Sequence, residues 1–360
     1  MSIDVLRPSE LTAELITAWR TFQAADPDIG SPFLTPDWVQ AVARAQGDKA
    51  ARIAVAHQSG RPTAFFACRP GPFTAMPVGA PLSDYQAVIA EPGAPVDLRA
   101  MLKALGVARY DFTHVPTSQT AFADSFRGRQ TSWCVDVSNG WTGYLAELKA
   151  KQSGLRKDLG SRWRRIEREV GEVRFTGASD SDADFAEMIK FKRAQYDETA
   201  QTDVLGRDWT QRLMTELLHT RTEHFGGLFS TLHARDKMAA GHFGLYAKGV
   251  LHAWFLSHDC DLGRHSPGMV ILGEVIRHIG EEGGWRELDF GPGEYPFKMR
   301  MANKSRELGY GFIGRPAPAT AFRGAAYWVR ERAEAAPLGR ISTLPGRAMR
   351  RWDVIRSLRG

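Results

Sequence analysis

Arg264-His-Ser-Pro-Gly-Met-Val-Ile-Leu272 is the stretch on which the fold turns. Ser266 is an N-cap residue by type and Pro267 suits the first helical position. Leu272, Val275, Ile276 and Ile279 then form one apolar stripe, and Glu281-Glu282-Gly283-Gly284 ends the helix. Upstream, three runs of strand composition (227–234, 238–246, 250–258) are separated by Asp236-Lys237 and Lys248-Gly249, which predicts an antiparallel meander. Downstream, a short strand at 287–290 leads into Gly291-Pro-Gly-Glu-Tyr-Pro-Phe-Lys298, and a strand at 310–313 closes the unit. A helix that follows a strand so directly presents free backbone N–H groups and the positive end of its dipole. Gly268 would let a phosphate approach that backbone, and Arg264 would add a cation. The competing reading is an ordinary helix start, which Ser-Pro-Gly also makes.

Working outward, the same alternation of strand and helix fills the rest of the chain. Thr35 and Pro36, in Ser31-Pro-Phe-Leu-Thr-Pro-Asp-Trp38, open a helix, and runs at 52–57 and 63–69 flank Ser59-Gly60 as a hairpin. A loop-rich stretch, a helix at 96–105, a strand at 110–114, a further helix and a strand at 132–137 follow. The region 142–169 reads as basic helix, and 172–176 as a strand. Helices are expected at 182–199, with Phe185, Met188, Ile189 and Phe191, and at 207–221, with Leu213, Met214, Leu217 and Leu218. The fold class is therefore α/β (α+β), with mixed, largely antiparallel sheets flanked by helices. The expected division is a lobe at 1–140, a basic bridging helix at 141–170, a second lobe at 171–315 and a basic helical tail at 316–360.

Composition narrows the setting. At 360 residues, 43% hydrophobic and 24% charged, the chain is globular and long enough for two domains. No apolar run approaches the ~18–20 residues of a spanning helix. The N-terminal MSIDVLRPSELTAEL lacks the order of a secretory signal. Cys68, Cys134 and Cys260 are too few and too far apart for a disulfide framework or a CxxC metal site, so a reducing, cytoplasmic setting is expected. The net charge of +6 is unevenly placed. Eight basic and two acidic residues lie between Lys149 and Arg168, and ten arginines and three acids between Arg315 and the end. These segments are either solvated helix faces or surfaces for phosphate and anionic lipid.

The strand, the Ser-Pro-Gly helix start and Glu-Leu-Asp-Phe-Gly-Pro-Gly-Glu-Tyr-Pro-Phe-Lys (287–298) together resemble the C-terminal half of GNAT acyltransferases of the cellulose-biosynthesis (CelD-like) type. The basic segment 153–169 and the turn 31–38 are similar to that family in order and flavour. The resemblance implies two tandem GNAT-like lobes with acyl-CoA, most simply acetyl-CoA, held against the second. Arg264-His-Ser-Pro-Gly268-Met-Val stands where that family places the CoA pyrophosphate, on a loop of Arg/Gln-x-x-Gly-x-Gly/Ala type. Pro267 precedes the only glycine and cannot donate, so the cradle would fall to the N–H groups of Gly268, Met269 and Val270, with Arg264 and Ser266 beside them. Direct transfer of the acyl group to an amine or hydroxyl needs a proton acceptor and donors near the carbonyl oxygen. Asp289 and Glu294 are candidate bases, Tyr295 a proton source for the leaving thiolate and Lys298 an anion-binding cation.

Five of the ten histidines (233, 242, 252, 258, 265) fall within 33 residues, yet no metal-binding spacing links them, and no metal is expected. If Lys248-Gly249 is a two-residue turn, His242 and His252 point to opposite faces of the sheet. His252, Trp254 and His258 would share one face, with His258 an alternative base and Trp254 a substrate contact. The acceptor implied by the resemblance is a sugar nucleotide or a lipid-linked saccharide in polysaccharide (exopolysaccharide) assembly. The basic C-terminal helix, with Met349, Trp352, Val354, Ile355 and Leu358 among its arginines, fits either packing on the body or peripheral contact with the inner membrane face. Nucleic acid is disfavoured by thin aromatic interleaving, Trp163 alone. Two alternatives stand: a Fem-like transferase taking an aminoacyl group from charged tRNA, and a degenerate, non-catalytic GNAT scaffold.

Overall fold

The structure, a computed structural model, describes residues 2–48, 51–151, 153–336 and 342–358. They form two compact units: residues 1–29, 33–130 and 307–360, and residues 30–32 and 131–306.

The first unit opens with β1 (Ser2–Leu6), α1 (Ala13–Ala25), α2 (Pro36–Gln46), β2 (Arg52–Gln58), β3 (Arg61–Pro70), β4 (Thr74–Met76), β5 (Ile89–Ala90), α3 (Leu98–Ala104), β6 (Arg109–Pro116) and the start of β7 (Phe126–Asp136). Thr35 caps α2 as its sequence predicts, its hydroxyl accepting from Trp38 N at 3.1 Å. Ser59 and Gly60, both at positive φ, make the tight turn of the β2–β3 hairpin. The helix expected before β7 is a short 3-10 turn, Thr120–Ser125. Strands β1, β2, β3 and β4 pair antiparallel in that order, and β4 pairs with β6 in parallel. Phe66, Tyr110, Phe112 and Phe122 anchor the core beneath α3.

The second unit runs from the rest of β7 through α4 (Gly140–Ala150), α5 (Leu155–Glu169), β8 (Val173–Ser179), α6 (Asp182–Glu198), α7 (Asp208–His219), β9 (Gly226–Ala234), β10 (Lys237–Ala247), β11 (Val250–His258), α8 (Pro267–Glu282), β12 (Glu287–Pro292) and α9 (Pro296–Met301) into the start of β13 (Lys304–Gly314). The predicted meander is present: β8, β9, β10 and β11 pair antiparallel, and β11 pairs with β12 in parallel. Lys248 and Gly249, at φ 46° and 79°, form a two-residue turn. Phe185 and Met188 of α6 cover one face of this sheet, against Phe229, Phe243 and Gly241. Val270, Ile271, Val275, Ile276 and Ile279 of α8 bury the other, with α4 and α5 outside them.

The division of the chain differs from the expected 1–140, 141–170, 171–315 and 316–360. The strand after β6 in sequence, β7, pairs with β12, and the strand after β12, β13, pairs with β6. Each unit is therefore finished by a strand from the other half of the sequence, which moves the boundaries to 130/131 and 306/307. The basic helix α5 belongs to the second unit. The tail, α10 (Pro318–Ala335) and α11 (Leu344–Leu358), belongs to the first. It is no loose appendage, since Tyr327 stacks on Phe312 and Arg323 pairs with Asp111 at 3.1 Å. Among the described residues no helix is long and apolar enough to cross a membrane.

Candidate functional site

The start of α8 is unlike the cap its sequence suggests. The 3-10 turn Cys260–His265 delivers Ser266 into the left-handed region, φ 54° and ψ 53°, an uncommon conformation for a residue with a Cβ. Its hydroxyl makes no cap bond. It accepts instead from Arg162 Nη1 at 2.6 Å. The Ser266 carbonyl takes the N–H groups of Met269 (3.0 Å) and Val270 (3.4 Å), so two of the three amides expected in a phosphate cradle are already engaged. Gly268 remains, and a Cβ there would meet Leu256 at 3.6 Å and His258 Nδ1 at 3.7 Å. The start of α8 thus packs on the end of β11 at ordinary contact distance.

Cations gather around this helix start. Arg162 also holds Asp158 (3.0 Å), which accepts from Arg300 of α9 (2.7 Å), tying α5 and α9 to α8. Partial burial opposes the Asp158 charge, but the two arginine hydrogen bonds outweigh it and hold the carboxyl below its usual range. Arg264 is exposed, its Nε donating to His265 Nε2 at 3.0 Å. Burial, and then Arg264, push the His265 pKa down.

Beside this helix start the sheet opens. β11 and β12 pair only at Val250↔Glu287, Leu251↔Leu288 and His252↔Asp289, while β11 continues to His258 and β12 to Pro292. Parallel strands that part after three pairs leave a wedge whose backbone groups are not consumed by the ladder. A bulge against Phe243/Gly244 inserts Trp254 as an extra residue in β11. That residue overturns the expectation that His252, Trp254 and His258 share a face. His252 lies opposite Leu245 on the α6 side, and His258 opposite Ala240 on the α8 side. His242 and His252 do take opposite faces, as the two-residue turn requires. His242 is fully buried, and burial, reinforced by His252, lowers its pKa to about 3, the state of a neutral core residue. Half-buried Trp254 packs at 6.1 Å from the Phe243 ring, and is a wall rather than a free platform.

His258 is half-buried at the α8 start, and burial, only partly offset by Asp259, lowers its pKa. Near it Lys192 of α6 donates to the Leu256 carbonyl at 3.2 Å and to Gln195 at 3.0 Å, and burial lowers its pKa to about 8.

The residues expected on the 287–298 segment separate. Asp289 is buried with every oxygen engaged: Oδ1 accepts from Ser132 Oγ (2.8 Å) and Gly291 N (2.7 Å), and Oδ2 from Arg306 (3.1 Å). A carboxylate held this way braces the strand end and is not presented as a base. Lys298 is buried and donates to the carbonyls of Gly291 (3.1 Å) and Pro292 (2.8 Å), fixing the turn instead of facing an anion. Glu294 is exposed, and so is Tyr295, whose ring lies 5.3 Å from Lys298 Nζ. Cys134, Glu287 and Asp289 bring three potential metal ligands within 4.8 Å of one another. Arg306 bridges both carboxylates and Lys304 adds a bond to Glu287 at 3.0 Å, so protein cations already supply the compensating charge.

Arg162, Lys192 and Arg306 were not singled out from sequence. Lys192 carried a signal, since it continues the Phe185–Met188–Ile189 stripe as a lysine in a buried position. Arg162 and Arg306 depend on partners about 100 and 17 residues away, and nothing local marks them.

Similarity to known proteins bears on the fold. No curated protein matches the sequence. Among solved structures the chain is similar to FemX, at 9% identity over 89% of this chain and 99% of that one, with a TM-score of 0.59. It is also similar to the C-terminal DUF2156 domain of a provisionally assigned lysylphosphatidylglycerol synthetase from Agrobacterium fabrum, at 13% identity over 86% and 95%, with a TM-score of 0.53. Residues 153–299 match the model of the acetyltransferase (GNAT) domain, and the chain has the fold of GNAT-type acyl- and aminoacyltransferases.

Proposed function

We propose that the protein transfers an acyl group, most simply acetyl from acetyl-CoA, to a hydroxyl or amine of a sugar nucleotide or lipid-linked saccharide in polysaccharide assembly, at the cytoplasmic side of the membrane. The observation that carries the reading is the wedge beyond His252/Asp289, which opens beside the α8 start and its cations. The donor's phosphates would meet the Gly268 N–H, the positive end of α8 and the exposed Arg264. Its thioester would lie along the unpaired edge of β11. The acceptor's oxygen or nitrogen forms the new acyl bond as the C–S bond breaks, its proton passes to the exposed Glu294 carboxylate and the thiolate leaves. His258, 3.7 Å from the Cβ position of Gly268, stands at the phosphate end of the site, too far from the thioester to take that proton. Tyr295, exposed on the same loop after β12, would meet the acceptor.

A second reading, transfer of an aminoacyl group from charged tRNA, is favoured by one observation. An open groove of about 800 Å³ between α4 and α5 is lined by Lys149, Arg156, Lys157 and Arg164, a path for a phosphate backbone. Titrating the protein with acetyl-CoA and with tRNA at two salt concentrations separates the two. Saturable acetyl-CoA binding with weak tRNA binding supports the first reading. Indifference to acetyl-CoA, with tRNA affinity falling steeply in salt, replaces it with the second.

A further inference from the structure

The first unit contains a cavity of about 290 Å³ that the transferase reading does not use. It lies between β6 and β13 on one side and α10 and α11 on the other. Its walls are mainly apolar, with Met76, Pro77, Phe112, Met349 and Val354 among them. Its charges do not balance. Four arginines (323, 330, 350 and 356) line it; Arg330 pairs with Glu334 at 2.8 Å, and the other three face two carboxylates, Asp111 and Asp353. Asp111 is already shared by Arg109 (2.9 Å), Arg323 (3.1 Å) and Arg356 (3.8 Å), and Asp353 by Arg323 (2.6 Å). Next to Arg356 lies Arg69, 8% exposed, which pairs with no carboxylate among the described residues and whose Nη1 lacks a hydrogen-bond partner. Burial, and then Arg356, lower the Arg69 pKa to about 10. Buried positive charge in excess is costly unless an anion meets it.

The two helices that wall the cavity also carry most of the molecule's exposed large apolar side chains. Phe322, Trp328, Val329, Leu344 and Trp352 are five of the nine among the described residues. Arg332 lies 5.3 Å over the Trp328 ring. Aromatic side chains among arginines are the composition of a surface that rests on anionic lipid.

We propose that this cavity holds the head end of an anionic membrane phospholipid, its phosphate among Arg323, Arg350 and Arg356 and its first acyl carbons along Met76, Met349 and Val354. An apolar pocket with a few converging polar groups is the usual form of a ligand site. This one lies wholly in the first unit and stands whichever donor the second unit takes, so loss of acetyl-CoA binding leaves it intact.

Calorimetry with dihexanoylphosphatidylglycerol below its micelle concentration tests the proposal, with dihexanoylphosphatidylcholine and inorganic phosphate as the other arms. The expected result is one phosphatidylglycerol per chain and little binding of either comparison compound. Arg350→Gln, at an exposed residue, should weaken binding about fivefold. Val354→Trp should fill the cavity and abolish binding while the protein melts as wild type. If that variant fails to fold, Arg350→Gln carries the test alone. Equal affinity for the two lipids, inorganic phosphate binding as tightly as phosphatidylglycerol, or an Arg350→Gln variant indistinguishable from wild type would overturn it. Flotation with phosphatidylcholine vesicles, with and without phosphatidylglycerol, should show capture only by the anionic vesicles, and capture by both would contradict it.

Discussion

The two units repeat one plan and differ where chemistry would take place. In each, a strand is followed by two helices, three antiparallel strands (β2–β4 and β9–β11), a crossover helix and a strand parallel to the last of those three (β6 and β12), and the first unit adds the two-residue β5, which pairs with β3. The crossover helix of the first unit, α3, is capped by its own sequence, with Asp97 Oδ1 accepting from Ala100 N at 2.9 Å. The equivalent helix of the second, α8, has Ser266 turned away onto Arg162. β4 has three residues, pairing with β6 at Thr74↔Arg109 and Ala75↔Tyr110, whereas β11 has nine and runs on past its last pair with β12. A carboxylate at the N-cap occupies the place an anionic ligand would take, while a hydroxyl drawn off by an arginine leaves it open. One copy of the plan is closed by its own cap and the other is held open.

The largest expected effect comes from the open copy. Glu294→Gln should lower kcat by a hundred- to ten-thousandfold, about 3–5 kcal/mol of barrier, with little change in donor affinity. Steady-state kinetics with an identified acceptor checks this, and an unchanged kcat would remove Glu294 as the base. Next is the brace behind the wedge. Arg306→Ala leaves Asp289 buried without its cation and Glu287 with Lys304 alone, which should cost about 3–5 kcal/mol of stability by denaturant titration. Its counterpart in the closed copy is smaller, with Asp97→Ala costing about 1 kcal/mol and leaving donor binding untouched.

Two pH effects sharpen the same contrast. His258 stands at the phosphate end of the site with its pKa lowered, so it becomes cationic only below about pH 6.5, and acetyl-CoA affinity should rise below that pH in calorimetric titrations. Lys192 has a native pKa of about 8, below its unfolded value, so the unfolded chain binds more protons between about pH 8 and 10.5. Its contribution to stability therefore rises with pH across that window. Lys192→Met should flatten the rise in chemical-denaturation profiles and stabilise the protein at pH 7.

Local signals carried most of the elements. Thr35 and Pro36, Ser59-Gly60, Lys248-Gly249 and the apolar stripe of α8 all did what their types and spacings imply, because each acts on backbone within a few residues. Choices settled at long range were hidden. The exchange of β7 and β13 depends on which sheet edge each strand finds, and neither strand's pattern names its partner. The Trp254 bulge reverses the side-chain order of β11 without a glycine to announce it. Ser266 reads as a cap, and Arg162, 104 residues away, claims its hydroxyl. Asp289 and Lys298 read as chemistry because they are charged residues in a glycine-rich loop, and prove to be the bonds that shape it. The ten arginines from position 315 onward read as a solvated face, a helix packed on the body or an anionic-surface contact, whereas Arg323 and Arg330 recur at helical spacing and turn inward onto Asp111 and Tyr310.

The central claim is that the second unit's open helix start takes the donor. Calorimetric titration of acetyl-CoA into the wild type, Gly268→Glu and Asp97→Ala tests it most directly. The account predicts saturable binding to the wild type, the same affinity for Asp97→Ala, and at least a tenfold loss for Gly268→Glu, whose negative side chain would start from a Cβ 3.6–3.7 Å from Leu256 and His258 at the helix start. Binding unaffected by Gly268→Glu, or no binding to the wild type at all, would contradict it.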